Sequence, residues 1–187
     1  MSALEPLIGE PLALDLVNTR PVGADLLATP EQLAAWVRRQ SDRLTEPMPD
    51  VLDHVDLAAV HAVRDHTAAA LAALLQDRRP PDAAVDGLAA AQSAAPAIRV
   101  LNWDETTFVA TSTRVGPAGV RLSAALAEAA VDLLIDPALT KLKRCAADDC
   151  VMLFLPAHPR RQWCSPDRCG NRARVARYYQ RHKSGTA

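Results

Sequence analysis

Apolar residues recur at three- and four-residue spacing through most of the first 140 positions, and that period predicts helices. Thr29-Pro30-Glu31-Gln32 opens one, with threonine as N-cap, proline at the first helical position and glutamine three residues after the cap; it runs to about Arg43. Leu57, Val60, Arg64, Leu71, Leu74 and Leu75 mark a longer helix over 53–77, stopped by Arg78-Arg79-Pro80-Pro81. A shorter alanine-rich helix is predicted over 82–94, and a strong one over 117–136 with Leu122, Leu126, Ala129, Leu133 and Leu134 on one stripe. Between them, 98–103 and 107–113 are rich in β-branched and aromatic residues around a polar turn, which predicts a hairpin. Near the start, Leu12, Leu14 and Leu16 alternate, so a strand is permitted there; on so short a run a helix is equally open.

The pattern changes after residue 140. A short helical turn (138–143) leads into an apolar strand at 151–155, a turn at 156–159 and a return strand at 160–163. Ser165-Pro166-Asp167 starts a last helix that runs to about His182. At about 100° per residue, Val175, Tyr178, Tyr179 and His182 gather on one side of it and Arg174, Arg177 and Arg181 on the other. The aromatic side is therefore expected to pack on the hairpin and the arginine side to face outward. The fold class is mainly α with small β hairpins (α+β): an alanine-rich helical domain over 1–140 and a small module over 141–187.

Composition fits this picture. Hydrophobic residues make up 49% and charged residues 23%, a globular balance, while aromatics are only 4%, so the core is built from Ala, Leu and Val. No apolar run approaches the roughly 20 residues that span a bilayer, and the opening residues lack the basic and apolar regions of a signal peptide. No membrane association and a cytoplasmic location are expected. Residues 1–140 contain no nucleophile–base pair, carboxylate pair or glycine-rich phosphate loop, so an enzyme is the least favoured class.

The chemistry concentrates in the tail. The chain's four cysteines stand as Cys145-x4-Cys150 and Cys164-x4-Cys169, thirteen residues apart. Two such pairs, each on its own turn, deliver four thiolates to one tetrahedral zinc ion, and a shell closed by four sulfurs leaves no position for water or substrate. One structural Zn2+ per chain is expected, its binding supplying folding energy that so small a module lacks. A layout of knuckle, hairpin and helix is treble-clef-like, with Cys169 in the first helical turn, where the helix dipole favours a thiolate. His158 reads as a turn residue; His54, His61 and His66 lie on or near one helix without other ligand types and read as core or surface histidines.

Charge is divided along the chain. Residues 141–187 carry eleven Lys and Arg against three Asp, a net +8, whereas the first 140 residues net −9. Arg160, Arg161, Arg172, Arg174, Arg177, Arg181 and Lys183 are the candidate phosphate contacts, since planar guanidinium groups suit phosphate. Arg168 and Arg172 are placed close to the metal, where they reach thiolate sulfur, nearby carbonyls or phosphate.

The run Cys169-Gly170-Asn171-Arg172, with the paired cysteines and Arg161-Gln162-Trp163-Cys164 ahead of it, closely resembles the CGNR zinc finger family. Leu14-Asp15-Leu16-Val17-Asn18-Thr19 resembles the opening of the alanine-rich ABATE domain that accompanies that finger. The resemblance implies a stress-induced transcription regulator whose finger binds DNA, with Cys145, Cys150, Cys164 and Cys169 as zinc ligands. Asp15, Asn18 and Thr19 either line a ligand pocket in the ABATE-like domain or cap a neighbouring helix and satisfy buried backbone groups, the structural role being preferred. The leading reading is a DNA-binding regulator whose helical domain senses a small-molecule effector or forms a homodimer; two half-sites would then supply the specificity that one small module lacks. The other reading is a zinc-stabilised adaptor that binds an acidic protein.

Overall fold

The computed structural model describes residues 6, 8–44, 46–47 and 51–183, without the side chains of 177 and 179–183. Helices dominate: α1 (Leu12–Val17), α2 (Pro30–Arg39), α3 (His54–Leu74), α4 (Asp82–Ala94), α5 (Ala118–Ile135) and α6 (Asn171–Lys183). Two antiparallel strand pairs complete the fold, β1 (Ile98–Asp104) with β2 (Thr107–Thr113), and β3 (Lys143–Arg144) with β4 (Leu153–Phe154). No described helix is long and apolar enough to cross a membrane.

The leucine alternation near the N-terminus resolves as helix: Leu12, Leu14 and Leu16 are all buried in α1, which is enclosed by α3 and α5. Full enclosure removes the polar face that an alternating pattern implies. The Thr29 capping box forms with Gln32, as its spacing requires. At α3, Asp53 caps Val55 and Asp56 N–H, and Asp56 returns a bond to Asp53 N–H. The other oxygen of Asp56 accepts the N–H of Gly119 at 2.8 Å, so this residue also serves the start of α5, which has no side-chain cap of its own. A Cβ at residue 119 would lie 2.3 Å from that oxygen, which is why glycine stands there.

Four charged groups, Asp15, Glu46, Arg64 and Arg114, are buried among the described residues of the helical part. Arg64 donates to Asp25 at 2.6 and 2.7 Å and to Thr19 Oγ1 at 3.0 Å. Arg114 donates to the Ala95 carbonyl and pairs with Glu128 and Glu46. Burial without these partners would cost several kcal/mol per ion, the penalty of taking a charge out of water.

Three features of the tail differ from the sequence reading. Strand β4 pairs with Lys143–Arg144 ahead of the first cysteine, not with 160–163. Residues 160–163 form no strand; the Gln162 carbonyl accepts Ala146 N–H instead, tying that stretch to the first cysteine turn. The last helix begins as a π turn at Pro166–Gly170, capped by Ser165, before α6 continues. Val175 and Tyr178, the two members of the expected packing side whose side chains are described, are each 53% exposed, and the main described contact of α6 is the π turn before it. Helical periodicity sorts residues by side but does not supply a surface for each side to meet. The side chains of Tyr179 and His182 lie outside the described residues.

Candidate metal centre

Strand β3 leads directly to Cys145, whose N–H donates to the Met152 carbonyl at 2.9 Å. The chain turns back within the first pair, with Cys150 N–H on the Ala147 carbonyl at 3.0 Å. The second pair arrives on the far side: Cys164 N–H points at Cys145 Sγ (3.4 Å), and the π turn carries Cys169. The four sulfurs lie within 4.8 Å of one another, Cys150–Cys164 at 3.8 Å and Cys164–Cys169 at 3.6 Å. Tetrahedral zinc with Zn–S of about 2.3 Å sets its sulfurs about 3.8 Å apart. Disulfides need about 2.05 Å, and none is present.

Thiol chemistry at this spacing calls for a cation. Burial and the crowding of neighbouring thiols push Cys150 up to about 11 and Cys164 well above the ordinary range. Burial opposes ionisation of Cys145 too, but backbone N–H groups of Cys164 and Ala147 outweigh it and hold this thiol below its usual value. Four sulfurs so close do not ionise together unless a metal compensates them, and a coordinated thiol is deprotonated outright. The residues present fit one structural Zn2+, with Cys145, Cys150, Cys164 and Cys169 as its ligands and no fifth position.

Each residue of the 169–172 run has a physical task. Cys169 is a ligand. Gly170 leaves room for the Trp163 ring, whose Cδ1 would lie 3.2 Å from an added Cβ. Asn171 donates to the Asp167 carbonyl at 3.0 Å and accepts from Arg174 at 2.5 Å. Arg172 donates to Cys169 Sγ at 3.1 Å and also pairs with Asp149 on the first cysteine turn. It therefore compensates thiolate charge and joins the two cysteine turns.

The predicted phosphate contacts separate into groups. Arg161 is a correction: it faces inward. Its guanidinium pairs with Glu10 at 2.6 Å, donates to the carbonyls of Trp163 and Cys164, and lies 4.4 Å over the Phe154 ring. Arg172 is occupied by the metal site. Arg160 and Arg174 are exposed, while the side chains of Arg177, Arg181 and Lys183 lie outside the described residues. Lys143 and Arg144, on β3, were not among the predicted contacts; both are exposed, and Lys143 Nζ bonds the Pro159 carbonyl beside Arg160 at 3.1 Å. Their position shortly before the first cysteine was the available signal.

Asp15, Asn18 and Thr19 sit where α1 meets the cysteine-bearing tail. Asn18 donates to the Leu153 carbonyl (2.8 Å) and accepts its N–H (2.9 Å). Asp15 accepts from Gly9 and Glu10 N–H and from Arg43 at 2.6 Å. Thr19 donates to the Leu16 carbonyl and accepts from Arg64. Asp15 and Asn18 also border a cavity of about 240 Å3 beneath Arg161. A cavity of about 530 Å3 opens beside the cysteines, bordered by Val22, Met152, Arg168 and Arg172. Among the histidines, His61 Nε2 meets the Leu27 carbonyl at 2.7 Å and His158 Nδ1 accepts Arg160 N–H within its turn.

Glu10 is the residue the sequence reading overlooked. One oxygen takes Arg161 and the other takes Leu155 N–H at 2.9 Å, so a single carboxylate fastens the segment ahead of α1 to the tail.

No curated protein matches the chain. The CGNR zinc finger family matches residues 141–182, in agreement with the four-sulfur site. The ABATE family, described as "putative stress-induced transcription regulator", matches residues 10–137. With more than half its length matched and its finger intact, the chain belongs to the ABATE family and carries a CGNR zinc finger at its C-terminal side.

Proposed function

We propose that this protein binds duplex DNA through the basic surface of its zinc finger and acts as a transcription regulator. The observation that carries the reading is which cations remain uncommitted. Arg161 and Arg172 are paired with carboxylates of the chain itself, Glu10 and Asp149, but Lys143, Arg144, Arg160 and Arg174 are exposed and have no carboxylate partner among the described residues. Arg177, Arg181 and Lys183 continue the basic run along α6. The family description points the same way.

Zinc, when bound, supplies no reaction; it holds the two cysteine turns together. Around it the chain keeps β3 and the start of α6 at fixed spacing, so cations from both reach one polyanion. Such contacts neutralise phosphates and release counterions, which makes affinity fall steeply with salt. The test is titration of zinc-loaded full-length protein with random duplex DNA at several salt concentrations. Binding that weakens linearly in log salt, and is lost when Lys143, Arg144, Arg160 and Arg174 are all changed to Ala, supports the reading. No binding at low salt, or equal binding to polyglutamate, replaces it with the acidic-partner adaptor.

A further inference from the structure

The β1–β2 hairpin stands off the helical body with its apolar side chains uncovered. Leu101 is 67%, Trp103 60% and Phe108 66% exposed, and Trp103 and Phe108 stack edge-to-face at 4.9 Å. An isolated two-stranded hairpin is marginally stable in water. Every residue of β1 is exposed, and β2 is the one described strand that pairs with it. The outer edge of β1 is therefore an open row of backbone donors and acceptors. It contains no proline or lysine, and Arg99 and Asp104 are its charged residues.

Register fixes which groups face outward. The loop between the strands is two residues, Glu105 and Thr106, so Asp104 and Thr107 form the closing hydrogen-bonded pair. Bonding then alternates along the ladder: Ile98, Val100, Asn102 and Asp104 point their N–H and C=O at β2, and Arg99, Leu101 and Trp103 point theirs away. The outward set is symmetric about Leu101.

We propose that β1 pairs antiparallel with β1 of a second copy of this chain, centred on Leu101, giving a four-stranded sheet in the order β2–β1–β1–β2. The strand is complementary to itself in this register. Leu101 opposes Leu101 across the two-fold axis, and Arg99 of each copy opposes Trp103 of the other. Directly opposed residues share a face, so each guanidinium meets an indole, a cation–π pair formed twice. All outward N–H and C=O groups of Arg99, Leu101 and Trp103 find partners, and Phe108, Trp103 and Leu101 of both copies join into one apolar band. The contact is isologous and closes at two copies. It stands apart from the DNA reading, because no residue of the basic surface takes part.

Sedimentation equilibrium of the zinc-loaded full chain tests it. The protein should dimerise, and Leu101→Lys, which sets like charges face to face, should raise the dissociation constant roughly tenfold or more. Leu101 is exposed, so this variant should keep the parent's helical circular dichroism. Under mild oxidation Leu101→Cys should form a covalent dimer, since a hydrogen-bonded pair sits about 5.5 Å apart at Cα, within disulfide reach. Val100→Cys should not, because its counterpart is a diagonal neighbour about 7–8 Å away. A chain that stays monomeric, a dimer indifferent to Leu101→Lys, or equal cross-linking at both positions overturns the proposal.

Discussion

Asn18 and Leu153 are 135 residues apart, yet the amide of one completes the backbone of the other: Asn18 donates to the Leu153 carbonyl and accepts its N–H. Leu153 lies on the short strand β4, and its side chain belongs to the same apolar core as α1, α3 and α5. Its neighbour Phe154 turns the other way, into the core around the cysteines. One two-residue strand is thus shared between the helical core and the zinc site. Asn18→Ala leaves a buried donor and a buried acceptor unpaired, at about 1–3 kcal/mol each. Urea denaturation of the zinc-loaded protein should show that loss, and Asn18→Asp should also be destabilised because it keeps the acceptor but not the donor.

The same strand couples metal to helices. Zinc binding is folding energy for a site of this kind. Cys150→Ser, or a chelator, should disorder the tail and also lower the melting temperature of the helical part, because Leu153 and the Asn18 bonds depend on β4. Hydrogen exchange should rise in α1 as well as in 145–170. Faster exchange confined to the tail would mean that the two parts are not coupled. Reduced, freshly purified protein should hold one zinc per chain by elemental analysis.

Arg161 and Arg174 should separate stability from binding. Arg161→Ala strands the part-buried Glu10 carboxylate and removes the cation over Phe154, so it should cost about 1–3 kcal/mol, as for a polar group left without its partner. Lysine should not rescue it, since one ammonium cannot serve Glu10, Trp163 and Cys164 together. Arg174→Ala and Arg160→Ala should leave the melting temperature almost unchanged, and each should reduce the slope of log affinity against log salt by roughly one if DNA is the partner.

Asp25 provides a pH signature. Partial burial favours its neutral form, but the Arg64 fork and the Leu27 N–H outweigh this and bring it to about 2 from an ordinary 3.8. A lowered carboxyl pKa adds stability that is complete above 3.8 and is lost as pH falls through about 2. The difference in melting temperature between the parent and Asp25→Asn should be constant above that window and shrink within it. Acid removes zinc from both proteins, so the difference isolates Asp25.

Much of this was local and therefore legible. Capping residues at Thr29 and Ser165 name helix starts because each bonds backbone within three residues of itself. The four cysteines named the zinc site because ligand chemistry and turn spacing are properties of short segments. The +8 and −9 division of charge needed no structure at all. Tertiary structure decided what depends on distant partners: that the leucines of α1 are enclosed and helical, that β4 pairs with Lys143–Arg144, that Arg161 turns to Glu10 rather than to solvent, and that Asn18 completes Leu153. None of these partners lies within a helical turn of the other. A periodic pattern states which side of an element is apolar; only packing decides what, if anything, covers it, as the exposed Val175 and Leu101 make plain.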